Sequence, residues 1–245
     1  MRVLFVLTSH GTLGDTGRTT GYYLSEVSHA YYILREGGAE ITFASIAGGR
    51  PPMDGAGRDD PDNARFLDDR DTMAAVESTI PLARIDPRGF DAVYFPGGHG
   101  TMWDFPDHPE VQRVVAAIWE QGGLVAAVCH GPAALTSVRL SDGSYLVTGR
   151  TVAAFTDDEE RAQKLTGVVP FLLSSRLRER GANLSEGAPF TAQIAVDGRL
   201  ITGQNPASAR PLARELLESL ASGVNAPAVA APVGAVPVTV TLRLR

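Results

Sequence analysis

Cys129 is the only cysteine in the 245-residue sequence, and it stands where the apolar run Leu124-Val125-Ala126-Ala127-Val128 gives way to Cys129-His130-Gly131-Pro132. A short run of that kind suits a buried strand of a parallel sheet, and Gly131 and Pro132 ahead of Ala133-Ala134-Leu135 suit the first turn of a helix. A thiol at such a turn meets unpaired backbone N–H groups and the positive end of a helix dipole, which favour thiolate and lower the pKa. A cysteine that merely fills the core needs neither an adjacent histidine nor a helix-starting proline, so Cys129 reads as a nucleophile.

Two further groups complete a possible acyl-transfer or addition chemistry. The loop Pro96-Gly97-Gly98-His99-Gly100 follows the apolar run 92–95 and lets backbone N–H groups approach a ligand closely. The nucleotide patterns GxGxxG and GxxxxGK[ST] are absent, so the loop has no nucleotide signature. Beside a thiolate, an N–H from this loop and that of His130 make an oxyanion hole. Glu26 lies in a segment whose apolar positions 23, 24, 27, 31 and 34 mark a buried helical face, and it is not on the polar side. A carboxyl directed into apolar surroundings has a raised pKa and suits proton transfer.

Elements must hold these groups together. Apolar runs at 3–7, 40–45, 92–95, 124–128, 151–155 and 199–202 alternate with helical patterns at 21–36, 108–120, 132–136, 157–165, 170–180 and 208–220. The alternation predicts an α/β fold, a three-layer sandwich on a mainly parallel, flavodoxin-like sheet, with Cys129 at a nucleophile elbow. Reactive groups of such sheets collect at the carboxyl ends of the strands, where the loops 8–20, 96–104 and 129–130 would meet. Residues 48–71 are rich in Gly, Pro, Asp and Arg and read as a surface excursion that covers the site or serves an interface.

A net charge of −6 without a basic run disfavours nucleic acid and anionic membranes as partners. The apolar N-terminal stretch is too short to span a bilayer and runs on without a cleavage-like site, so a cytoplasmic location is expected; a lone cysteine agrees with a reducing compartment. Histidine occurs only at 10, 29, 99, 108 and 130, with no HxxxH or HExxH spacing, and no metal or other cofactor is expected. The domain is expected to cover 1–221. Residues 222–245 form an Ala/Pro/Val-rich extension whose last ten residues alternate as an edge or partner-bound strand would, with disorder the favoured reading.

The motifs Ala127-Val128-Cys129-His130-Gly131-Pro132, Phe95-Pro96-Gly97-Gly98-His99-Gly100-Thr101-Met102-Trp103-Asp104 and the Glu26 helix resemble the PfpI-like branch of the class I glutamine-amidotransferase-like superfamily. So do Ala154-Phe155-Thr156-Asp157-Asp158-Glu159-Glu160, Val169-Pro170-Phe171-Leu172-Leu173 and Thr202-Gly203-Gln204-Asn205-Pro206-Ala207-Ser208. The likeness is nearest to its glutathione-independent glyoxalase III and chaperone members, relatives of the parkinsonism-associated deglycase, and it spans 1–221. Family members often carry a proline where this chain has Ala30 and a glutamate where it has Ser174. True glutamine amidotransferases use a His-x-Glu pair downstream of their cysteine, and this chain has no histidine beyond 130.

The resemblance implies Cys129 as nucleophile, His130 as its acid/base partner, Glu26 as the carboxyl that hydrogen-bonds the thiol, and an acidic residue after Phe155 to orient His130, for which the spacing favours Glu160. Gly98, with Gly97 and His99 beside it, would serve the oxyanion or substrate. The expected reaction converts a small 2-oxoaldehyde such as methylglyoxal to D-lactate without a cofactor, in a homodimeric, stress-related lyase. A small amide or peptide hydrolase, or a redox-sensing chaperone without turnover, would use the same cysteine, and a purely structural protein would tolerate its loss.

Overall fold

Short apolar runs with β-branched residues can hydrogen-bond on both edges, and here they join in one seven-stranded sheet. In the computed structural model, which describes residues 1–223, the order is Ile194–Asp197, Leu200–Gly203, Leu124–Val128, Ala92–Phe95, Arg2–Leu7, Glu40–Ser45 and Ile80–Pro81. Neighbours are parallel except the first two, which form an antiparallel hairpin. Every residue of Ala92–Phe95 and Leu124–Val128 is buried, as a parallel sheet covered on both faces requires.

Side chains alternate between the faces. Val3, Phe5, Tyr94 and Ala126 pack under the helices Leu24–Glu36 and Ala209–Ala221, with Val27, Leu34, Leu212 and Leu216. Leu4, Val6, Val93 and Val125 face the helix Pro109–Glu120 through Val111, Val114 and Ile118. Two layers of helix thus enclose the sheet, the three-layer sandwich expected.

Several elements differ from the expectation. Of the run 151–155, Thr151–Val152 alone forms a strand, and it pairs with Asn183–Leu184 outside the main sheet. Ala153 and Phe155 instead give their N–H groups to Thr202 Oγ1 and the Cys129 carbonyl, which turns the chain toward the site. The helix expected at 132–136 is a short 3-10 turn, Gly131–Leu135. The excursion 48–71 is not devoid of structure: it holds the helix Pro61–Asp68, capped by Asp60, and fully buries Phe66. It reaches the site through Met53–Asp54, which pairs with Tyr22–Tyr23. Among the described residues no helix is long and apolar enough to cross a membrane. The strand or disorder expected for the last ten residues lies outside the described residues.

Candidate active site

The strand Leu124–Val128 ends on a sharp turn in which Cys129 has φ of 60°. A non-glycine residue in this region is strained, and its neighbours hold it there. The Cys129 N–H donates to the Gly203 carbonyl at 2.9 Å, and the Cys129 carbonyl accepts from the Phe155 N–H at 2.9 Å. The glycine loop packs directly on this turn. A Cβ on Gly97 would lie 2.6 Å from the His130 nitrogen, and one on Gly131 2.1 Å from the Phe95 carbonyl oxygen. That contact lets the N–H groups of Gly98 and His130 converge on the Cys129 sulfur.

Glu26 follows from its helix. Leu24, Val27 and Tyr31 bury one face in the core, and Glu26, on the same side, is fully buried at the sheet's end. Its Oε2 accepts the Gly97 N–H at 2.5 Å. Gly97 therefore holds the carboxyl, and its N–H is committed there rather than to an oxyanion. Among the described residues Glu26 Oε1 has no nitrogen or oxygen partner, and the Cys129 thiol donates toward the carboxyl. Burial raises the Glu26 pKa to about 8, against the lowering effect of Gly97 and Cys129. The raised value expected for Glu26 is thus present.

The lowered pKa expected for Cys129 is not. Full burial, and then the negative potential of Glu26, push the thiol well above its ordinary value. The N–H groups of Gly98 and His130 act in the expected direction but do not prevail. A five-residue 3-10 turn aligns too few peptides for a strong dipole. Cys129 and Glu26 together retain at least one proton at neutral pH, and the thiolate forms only when a base removes one.

The base is adjacent. His130 Nδ1 lies 3.4 Å from Cys129 Sγ, and its Nε2 lies 2.8 Å from Glu160 Oε2. Burial, followed by the neighbouring His99, lowers the His130 pKa to about 4, so the ring is neutral. With Nε2–H donating to Glu160, the Nδ1 lone pair faces the thiol. Burial alone would raise Glu160, but hydrogen bonds from His130 and His99 bring it to about 2. His99 Nε2 donates to the second oxygen, Oε1, at 3.0 Å. His99, which also lines the cavity at Cys129, thus shares Glu160 with His130. His99, His130 and Glu160 offer atoms close enough to hold a metal ion, a convergence the spacing in sequence did not show. Both Glu160 oxygens already accept N–H groups from the two rings, so the cluster is satisfied without an ion.

Glu160 rather than Glu159 faces His130 for a local reason. Thr156 caps the helix Asp157–Ala162 and exchanges hydrogen bonds with Glu159 in a capping box, which turns Glu159 away.

A cavity of about 300 Å³ opens onto the sulfur, lined by Gly98, His99, Cys129 and His130. The loop 8–20 adds Leu13, Arg18 and Thr20, as its position predicted. Its position is fixed by Asp104, which accepts from Thr8 Oγ1 at 2.8 Å and from the Ser9 N–H at 2.7 Å. Tyr23, Asp54, Phe155, Gln163, Leu165, Phe190 and Pro206 complete the wall. Most of these carried no signal in sequence, because they arrive from six segments. A larger hollow of about 510 Å³ at the sheet edge, near Tyr31, Phe43 and Ile80, has neither cysteine nor histidine among its lining residues.

Residues 19–219 match the model of the DJ-1/PfpI family. The chain belongs to the DJ-1/PfpI family. Within it, the chain is 31% identical over 238 residues to Glyoxalase 3 of Candida albicans, covering 89% of this chain and 97% of that protein. The crystal structure of glyoxalase III from Candida albicans superposes with a TM-score of 0.83 at 28% identity, over 89% of this chain and 97% of that one. The Rapid Encystment Protein 24 KDa of Francisella tularensis gives 0.87 at 36% identity, over 89% and 98%.

In this DJ-1/PfpI protein the two positions at which the resemblance implied a proline and a glutamate are both buried. Ala30 is buried in the core with Val27 and Leu34. Ser174 is buried and gives its Oγ proton to Asp157 at 2.8 Å. Neither side chain lines the cavity at Cys129.

Proposed function

We propose that this protein is a glutathione-independent glyoxalase that converts methylglyoxal and related 2-oxoaldehydes to 2-hydroxy acids through a hemithioacetal on Cys129. The observation that carries the proposal is the buried set of Cys129, neutral His130, anionic Glu160 and protonatable Glu26 around one small cavity. Relatives bearing the name glyoxalase at about this level of identity support it.

Each step has a group in place. His130 Nδ1 takes the thiol proton, and Glu160 stabilises the imidazolium that results. Sulfur then bonds to the aldehyde carbon, C1, as its π electrons pass to oxygen, which the Gly98 and His130 N–H groups receive. Glu26, as carboxylate, removes the C1 proton while the His130 imidazolium gives its proton to the C2 oxygen, which makes an enediolate; Glu26 as acid then returns a proton to C2 as the C1 oxyanion closes to the thioester carbonyl. C1 thereby rises to the oxidation level of an acid while C2 falls to that of an alcohol, so no external oxidant or reductant enters. Water adds to the thioester, the C–S bond breaks, and lactate leaves with the thiol restored.

The family resemblance further supports a homodimer acting on a small aldehyde, and the lone cysteine agrees with a cytoplasmic location. The function is tested by incubating purified protein with methylglyoxal in D2O without glutathione. Lactate carrying deuterium at C2 is expected, since the enediol exchanges its proton. Absence of lactate would overturn the assignment, and lactate with hydrogen retained at C2 would replace the enediol by a hydride shift.

A further inference from the structure

One exposed loop is held by an unusual number of buried polar groups. Glu159, Gln204 and Asn205 are each fully inaccessible to solvent, yet none is required by the chemistry above. Gln204 Oε1 accepts the Gly187 N–H at 2.8 Å. Asn205 Nδ2 donates to the Thr191 carbonyl at 2.7 Å and to Glu159 Oε1 at 2.8 Å. The same Glu159 oxygen accepts the Phe190 N–H at 2.7 Å. Buried polar side chains with these partners fix a backbone strongly, because breaking one bond strands a desolvated group.

What they fix is a strained aromatic residue. Phe190 has φ of 61°, a conformation costly for a bulky side chain, and the residue stays 46% exposed. Strain and exposure both act against stability, so packing does not account for the position. Phe190 lines the cavity at Cys129, and its ring centre lies 6.3 Å from that of Phe155, tilted at 61°. Phe155 in turn lies 4.3 Å from the His130 ring. Leu13, Leu165 and Pro206 line the same cavity. Its volume of about 300 Å³ leaves room well beyond the five heavy atoms of methylglyoxal.

We infer that Phe190 is a specificity-determining wall, clamped by Glu159, Gln204 and Asn205, and that the site favours 2-oxoaldehydes bearing a ring-sized apolar substituent over methylglyoxal. The inference rests on the glyoxalase reading for its substrate class. A ring on C2 packs in edge or offset contact with Phe155 and Phe190 while the aldehyde carbon reaches Cys129.

The test compares kcat/KM for phenylglyoxal and methylglyoxal in wild type, Phe190→Ala and Phe190→Tyr. A second pair reads the wall without turnover: the rates at which N-phenylmaleimide and N-methylmaleimide alkylate Cys129, the only thiol. Wild type should favour the phenyl member of each pair by about tenfold, Phe190→Ala should lose most of that preference, and Phe190→Tyr should restore it. If neither aldehyde is turned over but the maleimide preference still falls in Phe190→Ala, the wall stands and the glyoxalase reading fails. Equal preferences in wild type and Phe190→Ala, for either pair, overturn the inference even if methylglyoxal is turned over rapidly.

Discussion

His130 Nε2 lies 2.8 Å from Glu160 Oε2, so a carboxylate orients the ring whose other nitrogen faces the thiol. Glu160→Gln replaces an oxygen acceptor with an amide that donates, and one of the two histidines loses its partner. The ring then turns, or takes the tautomer whose Nδ1–H points at sulfur. We expect kcat/KM to fall by about 100-fold or more, measured with methylglyoxal against wild type.

Glu26 links folding to pH. Its pKa is about 8 in the folded chain against 4.5 for the free group. The folded state therefore binds the proton more tightly, and the stability this supplies is complete below 4.5 and lost as pH rises through 8. His130, lowered to about 4 from 6.5, acts oppositely: its contribution is complete above 6.5 and lost as pH falls through 4. Between pH 6.5 and 8 Glu26 acts alone of the two, and stability should fall by up to about 1.4 kcal/mol per pH unit. Urea midpoints should show this decline in wild type and a flatter profile in Glu26→Gln.

The same substitution should separate thiol reactivity from turnover. The charge on Glu26 is a cause of the raised Cys129 pKa, second to burial. In Glu26→Gln the negative charge is gone while the side chain's shape remains. Iodoacetamide should alkylate Cys129 several-fold faster at pH 8 than in wild type, while lactate formation drops by about 100-fold. Slower alkylation would mean that Glu26 assists thiolate formation.

Gly98 has φ of 97°, and a Cβ there would lie 2.2 Å from the Gly21 carbonyl oxygen. Gly98→Ala therefore combines backbone strain with a clash against main chain that cannot rotate away. A loss of about 2–4 kcal/mol in stability is expected by chemical denaturation, with the Gly98 N–H displaced from the sulfur.

The strands 92–95 and 124–128 were legible because fully buried parallel strands are continuous apolar runs, and their ends place Gly98 and Cys129 together. The hairpin strand Ile194–Asp197 was not, since it is four residues long and half exposed at an edge. Glu26 could be read from the apolar positions around it. Glu160 was favoured by spacing alone, although Thr156 and Glu159 already spelled a capping box that removes Glu159 from contention. The pKa of Cys129 could not be read, because burial and the approach of Glu26, 103 positions earlier in the chain, outweigh the local turn. Phe190 escaped notice because its position is set by Glu159 and Asn205, partners distant in sequence.

The most direct test is lactate formation from methylglyoxal, without glutathione or added metal, by wild type, Cys129→Ser and Glu26→Ala. The account predicts turnover by wild type and loss in both variants, with each variant still cooperatively folded. Wild type that makes no lactate while Cys129 is readily alkylated, or Cys129→Ser that retains activity, would contradict it.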